Sequence, residues 1–121
     1  MIKEQWQARI KENTEKVGTY RPAFDDVIET LATILEQRDE AMKQYEQTGK
    51  HPVVTHTNKA GATNPAKNPC LVMWCDLNTQ ALAYWRDLGL TPSGLRKLSN
   101  ETVISINESD PLAEFLKNNA K

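Results

Sequence analysis

The chain has only two cysteines, no apolar run near the roughly 18 residues a membrane span needs, and no glycine-rich phosphate loop. Each absence removes a class of protein. Cys70 and Cys75 lie five apart on what reads as one helix, where their Cβ atoms point about 140° apart, so they are poorly placed to bridge one another. They read as two small buried or half-buried thiols. Without GxxxxGK[ST], GxSxG or HExxH, no ATP-binding, esterase or zinc-protease motif is available, and the chain is expected to be no enzyme and to carry no cofactor. The opening MIKEQWQARIKENTEK is charged throughout and has no signal-peptide core, so the expected location is cytosolic, with no membrane partner. A net charge of −1 argues against indiscriminate binding to nucleic acid.

What is there is a segregated charge. Residues 1–21 carry five basic and three acidic groups, residues 22–48 two basic and seven acidic. Residues 49–68 then carry Lys50, Lys59 and Lys67 with no acid at all. A basic loop therefore sits at the end of an acidic segment, which a total near zero conceals.

The hydrophobic pattern predicts a mainly α protein built on a long antiparallel helix hairpin over about residues 22–88, with short N- and C-terminal helices. Residues 2–16 favour helix, with Ile2, Trp6, Ile10 and Val17 as a thin apolar stripe, and Gly18 ends it. From Pro22 to Gln47, Phe24, Val27, Ile28, Leu31, Ile34, Leu35, Ala41, Met42 and Tyr45 recur at helical spacing, with Arg38 the polar occupant of the stripe. That face is wider than one partner helix needs, so it is expected to pack both within its chain and against a neighbour. Gly49 supplies the stop. Residues 49–68 break the pattern with two prolines and two glycines, and Val53-Val54-Thr55 reads as a short extended or hairpin β element in the connection.

Asn68-Pro69 predicts a helix start with Asn as N-cap, followed by Leu71, Trp74, Leu77, Asn78, Ala81, Leu82, Trp85 and Leu88 at three-four spacing. Gly89 ends that helix, Leu90 is placed to fold back on it, and Thr91-Pro92 opens a short helix with Leu95, Arg96, Lys97 and Leu98. Val103 to Ile106 reads as a strand or extended arm, and Asp110-Pro111 opens a last short helix. The chain accordingly divides into an N-terminal basic helix (1–18), a hairpin core with its loop (19–100) and a C-terminal arm (101–121).

Candidate sites follow from these patterns. His51 and His56 with the two cysteines lack the spacing of a structural zinc set, and Asp25-Asp26 and Asp39-Glu40 read as a solvated helix face, so no metal site is expected. Lys50, Lys59 and Lys67 suit contact with phosphates rather than bases, and repetition of the loop in an oligomer would multiply them. Lys3, Arg9, Lys11 and Lys16 of the first helix form a second basic candidate surface.

The run TLATILEQRDEAMKQYEQTG, then Asn68-Pro69-Cys70-Leu71, Leu88-Gly89-Leu90-Thr91-Pro92-Ser93 and Asp110-Pro111-Leu112-Ala113-Glu114-Phe115-Leu116, resembles the P27-type small subunit of tailed-phage terminase. The resemblance spans roughly residues 24–117; after LGLTP, Gly94-Leu95-Arg96-Lys97-Leu98 keeps part of the basic character usual there. It implies a non-catalytic subunit that binds double-stranded phage DNA in the host cytoplasm, assembles as a ring of about eight to ten copies, and recruits a large subunit holding the ATPase and nuclease. On that implication the interface candidates are Leu31, Ile34, Leu35, Arg38, Trp74 and Trp85, and the large-subunit dock is Leu112, Phe115 and Leu116. The alternatives are a helical oligomeric adaptor without DNA affinity and a helix-turn-helix DNA-binding regulator; the long acidic first hairpin helix fits the regulator poorly.

Overall fold

Helix α1 (Lys3–Val17) starts where Gln5 folds its side-chain oxygen back to accept from the Ile2 amide at 3.0 Å. It stops at Gly18, whose φ of 80° lets the Thr19 and Tyr20 amides reach the Thr14 carbonyl at 2.9 and 3.2 Å. Its inward stripe is Trp6, Ile10 and Thr14. Thr14 is tolerated at zero exposure because its hydroxyl donates to the Ile10 and Lys11 carbonyls, both at 2.9 Å. Ile2 and Val17, placed on the stripe by spacing, lie at its ends and are exposed.

The computed structural model describes residues 1–105, with side chains through Asn100. Within that span the protein is mainly helical with one small antiparallel sheet. After a 3-10 turn at Pro22–Phe24 comes α2 (Asp25–Gln47); the β-hairpin β1 (Val53–Thr57) and β2 (Thr63–Lys67) follows, then α3 (Pro69–Asp87) and α4 (Pro92–Ser105). No helix among the described residues is long and apolar enough to cross a membrane.

Both α1 and α3 pack on α2. Along α2 and α3 the contacts run in opposite directions: Gln44 faces Cys70, and Arg38 reaches Asn78. One core joins Trp6 and Ile10 of α1, Ile28, Leu31, Ala32 and Leu35 of α2, and Ala81 and Leu88 from α3 and its end. Each fully buried leucine there contributes about 1.5–3 kcal/mol of hydrophobic transfer. The wide apolar face of α2 is thus covered on one flank by α1, within the same chain. Helix α1 shares this core with α2 and α3.

Two further sequence readings change. Residues Val103 to Ser105 continue α4 as helix rather than forming a strand or extended arm. No glycine or proline follows Gly94 to stop the helix before Ser105. Cys75 is exposed, facing away from the α2–α3 contact, whereas Cys70 is half-buried; both are free thiols. The hairpin is longer than the Val53-Val54-Thr55 stretch that signalled it, because Thr63–Lys67 pairs with it despite Pro65. The final helix, and with it Leu112, Phe115 and Leu116, lies outside the described residues.

The α3–α4 corner depends on glycine. Gly89, at φ 72°, passes the chain beside Thr19 and Leu98, where a Cβ would come within 2.9 and 3.0 Å of them. Gly94, buried in the first turn of α4, abuts the Arg86 backbone with no room for a side chain. Thr91 caps α4, accepting from the Gly94 amide at 3.0 Å.

Candidate nucleic-acid interface

The connection between α2 and α3 is a projecting arm. Its five paired positions run from Val53↔Lys67 to Thr57↔Thr63, about 17 Å of strand. Every residue of both strands is exposed except the half-buried Val54 and Ala66, which sit opposite one another on one face. At the tip, the Asn58 side-chain oxygen accepts from the Ala60 and Ala62 amides at 3.0 Å each, and Gly61 takes φ 82°. That turn presents Lys59.

The base is held by Asn68, which is only 1% exposed. Its Oδ1 accepts from the Cys70 amide at 3.0 Å as the N-cap of α3, while its Nδ2 donates to Thr48 Oγ1 and the His51 carbonyl, both at 2.9 Å. Its own amide donates to the Pro52 carbonyl at 2.9 Å. One side chain therefore ties the end of α2, the root of the arm and the start of α3. The cap was legible in the sequence; the two Nδ2 bonds were not, because their partners lie 20 and 17 residues upstream.

Lys50 leaves α2 in the left-handed region at φ 59°, its carbonyl fixed by the Tyr45 hydroxyl at 2.9 Å. Lys67 closes β2 at the base. Lys50, Lys59 and Lys67 are all exposed, and none makes an ion pair or side-chain hydrogen bond among the described residues. His51 and His56 are exposed on the same arm.

The cations of α1 are differently disposed. Lys3 pairs with Glu29 of α2 at 2.7 Å, and that hydrogen bond holds its ammonium above the usual lysine range. Lys16 pairs with Glu12 at 3.1 Å, the Lys11 ammonium lies 5.2 Å from the centre of the Tyr20 ring, and the Arg9 guanidinium lies 5.4 Å from that of Trp6. The Tyr20 hydroxyl donates to Asp25 at 2.8 Å, which raises its pKa. All four α1 candidates thus have partners within the chain.

Trp6 is the centre of a second polar knot. Arg38 lies 5.3 Å from its ring, and its Nε1 donates to Asp39 at 2.8 Å. Asp39 also receives the Met1 amine at 3.1 Å and the Arg38 Nη2 at 3.1 Å. Partial burial pushes the Asp39 carboxyl up, but the hydrogen bonds from Trp6, the amine and Arg38 together outweigh it and hold the group below the ordinary aspartate range. Arg38, read from sequence as a polar member of an interface stripe, links α2 within the chain to Trp6 and to Asn78 of α3 at 3.3 Å. Nothing in helical spacing pointed to that link.

The remaining interface candidates separate in the same way. Leu31 and Leu35 have zero exposure in the single chain, so they are core residues of the three-helix packing and not a surface for a neighbour. Ile34, Trp74 and Trp85 are half-buried, and α3 exposes Val72, Met73 and Leu82 on its outer side. The N-terminal lysines and arginine, the arm lysines and the α3 apolar residues therefore form three separate regions.

Fold and site together define a small helical protein that holds a stiffly rooted, uncompensated basic arm away from its core. The chain belongs to the phage terminase small-subunit family, whose model matches residues 3–103. No curated protein and no solved structure matches it. Membership ties the chain to phage DNA packaging; small subunits of this family are generally the non-catalytic ones, and phage DNA and the large subunit are their general partners.

Proposed function

We propose that this chain is the DNA-binding, regulatory and non-catalytic subunit of a phage packaging terminase, of the P27 type, and that it works as a ring that recruits the large subunit. The observation that carries the DNA reading is the contrast between the two basic regions: of the two, it is the arm whose lysines no side chain among the described residues answers. Three cations per copy neutralise few phosphates, so repetition in a ring is what makes the arm effective. The α2–arm–α3 hairpin is the proposed ring body, with Ile34, Trp74, Trp85 and the outer side of α3 as the contact between copies. Residues 101–121, with Leu112, Phe115 and Leu116, are the proposed dock for the large subunit.

The test is duplex DNA binding as a function of salt, with the mass of the protein read in native solution. Lys50→Ala, Lys59→Ala and Lys67→Ala combined should lower the slope of log K against log salt by up to about 3 per bound copy, at unchanged mass. An unchanged slope would move the contact elsewhere, and a monomeric wild type would remove the ring.

A further inference from the structure

The two edges of the arm are unequal. Pairing of Asn58 with Ala62 and of Pro52 with Asn68 at 2.9 Å continues the register beyond both ends of the hairpin. Pairs in antiparallel ladders alternate between hydrogen-bonded and not, so Val54↔Ala66 and His56↔Asn64 carry the internal bonds. The backbone groups of Val53, Thr55 and Thr57 therefore point outward on β1, and those of Thr63, Pro65 and Lys67 point outward on β2. Pro65 leaves the β2 edge without its middle donor, and Lys67 adds a charge, two devices that protect an edge from further pairing. The β1 edge has neither: its sequence is Val-Val-Thr-His-Thr, with four β-branched residues, no proline and no acid, lysine or arginine. It is exposed apart from the half-buried Val54, and among the described residues no helix packs extensively on it.

We infer that the outer edge of β1 is a strand-addition site for a second copy of this chain, the two β1 strands pairing antiparallel about a two-fold axis at Thr55. Head-to-tail pairing of β1 on the β2 of a neighbour is disfavoured by the missing Pro65 donor and the Lys67 charge, so the better edge for β1 is another β1. The match is self-complementary. Thr55 meets Thr55 of the second copy, Val53 meets its Thr57, and Val54 meets its His56. Lys59 lies in the turn and Lys50 precedes the strand, so the paired segment Val53–Thr57 brings no lysine opposite a lysine. The product is a four-stranded sheet, which relieves the marginal stability of an isolated two-stranded ribbon. Because a two-fold contact closes on itself, it joins copies two at a time, independently of any ring contact and of DNA.

The full-length protein carries the test, read by native mass with helical circular dichroism as the fold control. Thr55→Pro removes the outward amide and leaves every β1–β2 hydrogen bond intact; it should halve the mass of the paired species. Thr55→Lys and Thr55→Glu should each weaken pairing on their own through like charges across the axis, and mixing the two should restore the pair. Unchanged mass in Thr55→Pro with native helicity overturns the proposal. So does failure of the mixture to recover, since the strand on the β1 edge would then belong to something other than a second β1.

Discussion

Helix α1 and the β-hairpin arm are both basic in sequence, and the structure treats them oppositely. The four α1 cations are answered by Glu29, Glu12 and two aromatic rings, whereas the three arm lysines stand on a ribbon that contains no acid. The lesson is that available charge depends on neighbours brought in by packing. Glu29 is 26 residues from Lys3 in the chain and in contact with it in the fold. What α1 loses as a phosphate-binding surface it contributes as the cover for one flank of α2.

That comparison can be broken first at its base. Leu31→Asp places a charge at a site of zero exposure and should cost about 4–5 kcal/mol, a large part of the stability of a small domain. Thermal unfolding followed by circular dichroism reads it. A stable variant with changed mass would return Leu31 to an interface between copies.

Next in size is Asn68→Ala, which removes the helix cap and both bonds that root the arm, for about 2–3 kcal/mol. Hydrogen exchange should rise most sharply in β1, β2 and the first turn of α3, and DNA affinity should fall although no cation is lost. Uniform exchange across the helices would mean that the arm has no separate anchorage.

A smaller effect sharpens the electrostatic contrast. Lys3→Gln, Arg9→Gln, Lys11→Gln and Lys16→Gln combined remove one more cation than the arm carries, yet should change the salt slope of DNA binding less than the arm triple while lowering the melting temperature. A slope change equal to that of the arm would show that the internal partners release these groups to phosphate.

The smallest concerns Asp39. Its carboxyl titrates below the ordinary range in the folded chain, so it stabilises the fold above the unfolded aspartate pKa of about 3.9, and that stability is lost as pH falls through the lower folded value. Acid unfolding of the wild type should steepen below about pH 4, and Asp39→Asn should flatten that segment while leaving the pH dependence near neutrality alone. An unaltered acid limb would mean that the knot around Trp6 contributes little.

Much of this fold is local and was readable. Gly18, Gly49 and Gly89 end helices because the chain must take φ near +80° there, and Asn68-Pro69 and Thr91-Pro92 begin them because cap and proline suit the first turn. Membership in the terminase small-subunit family was likewise legible in the order of NP-x-L and LGLTP, and the family model supports it over residues 3–103. The strand expected at Val103 failed because a β-branched pair cannot be told from helix when the preceding helical run has no stop signal.

By itself the sequence determined where helices start and stop and which residues are apolar, because those depend on backbone conformation and spacing within one turn. Only the tertiary structure decided who covers whom: that α1 rather than another copy takes the flank of α2, that Leu31 and Leu35 are core, and that Arg38 serves Trp6 and Asn78. It also decided which lysines remain free. Pairing of charges and burial of side chains depend on contacts between residues far apart in the chain, and no local period encodes them.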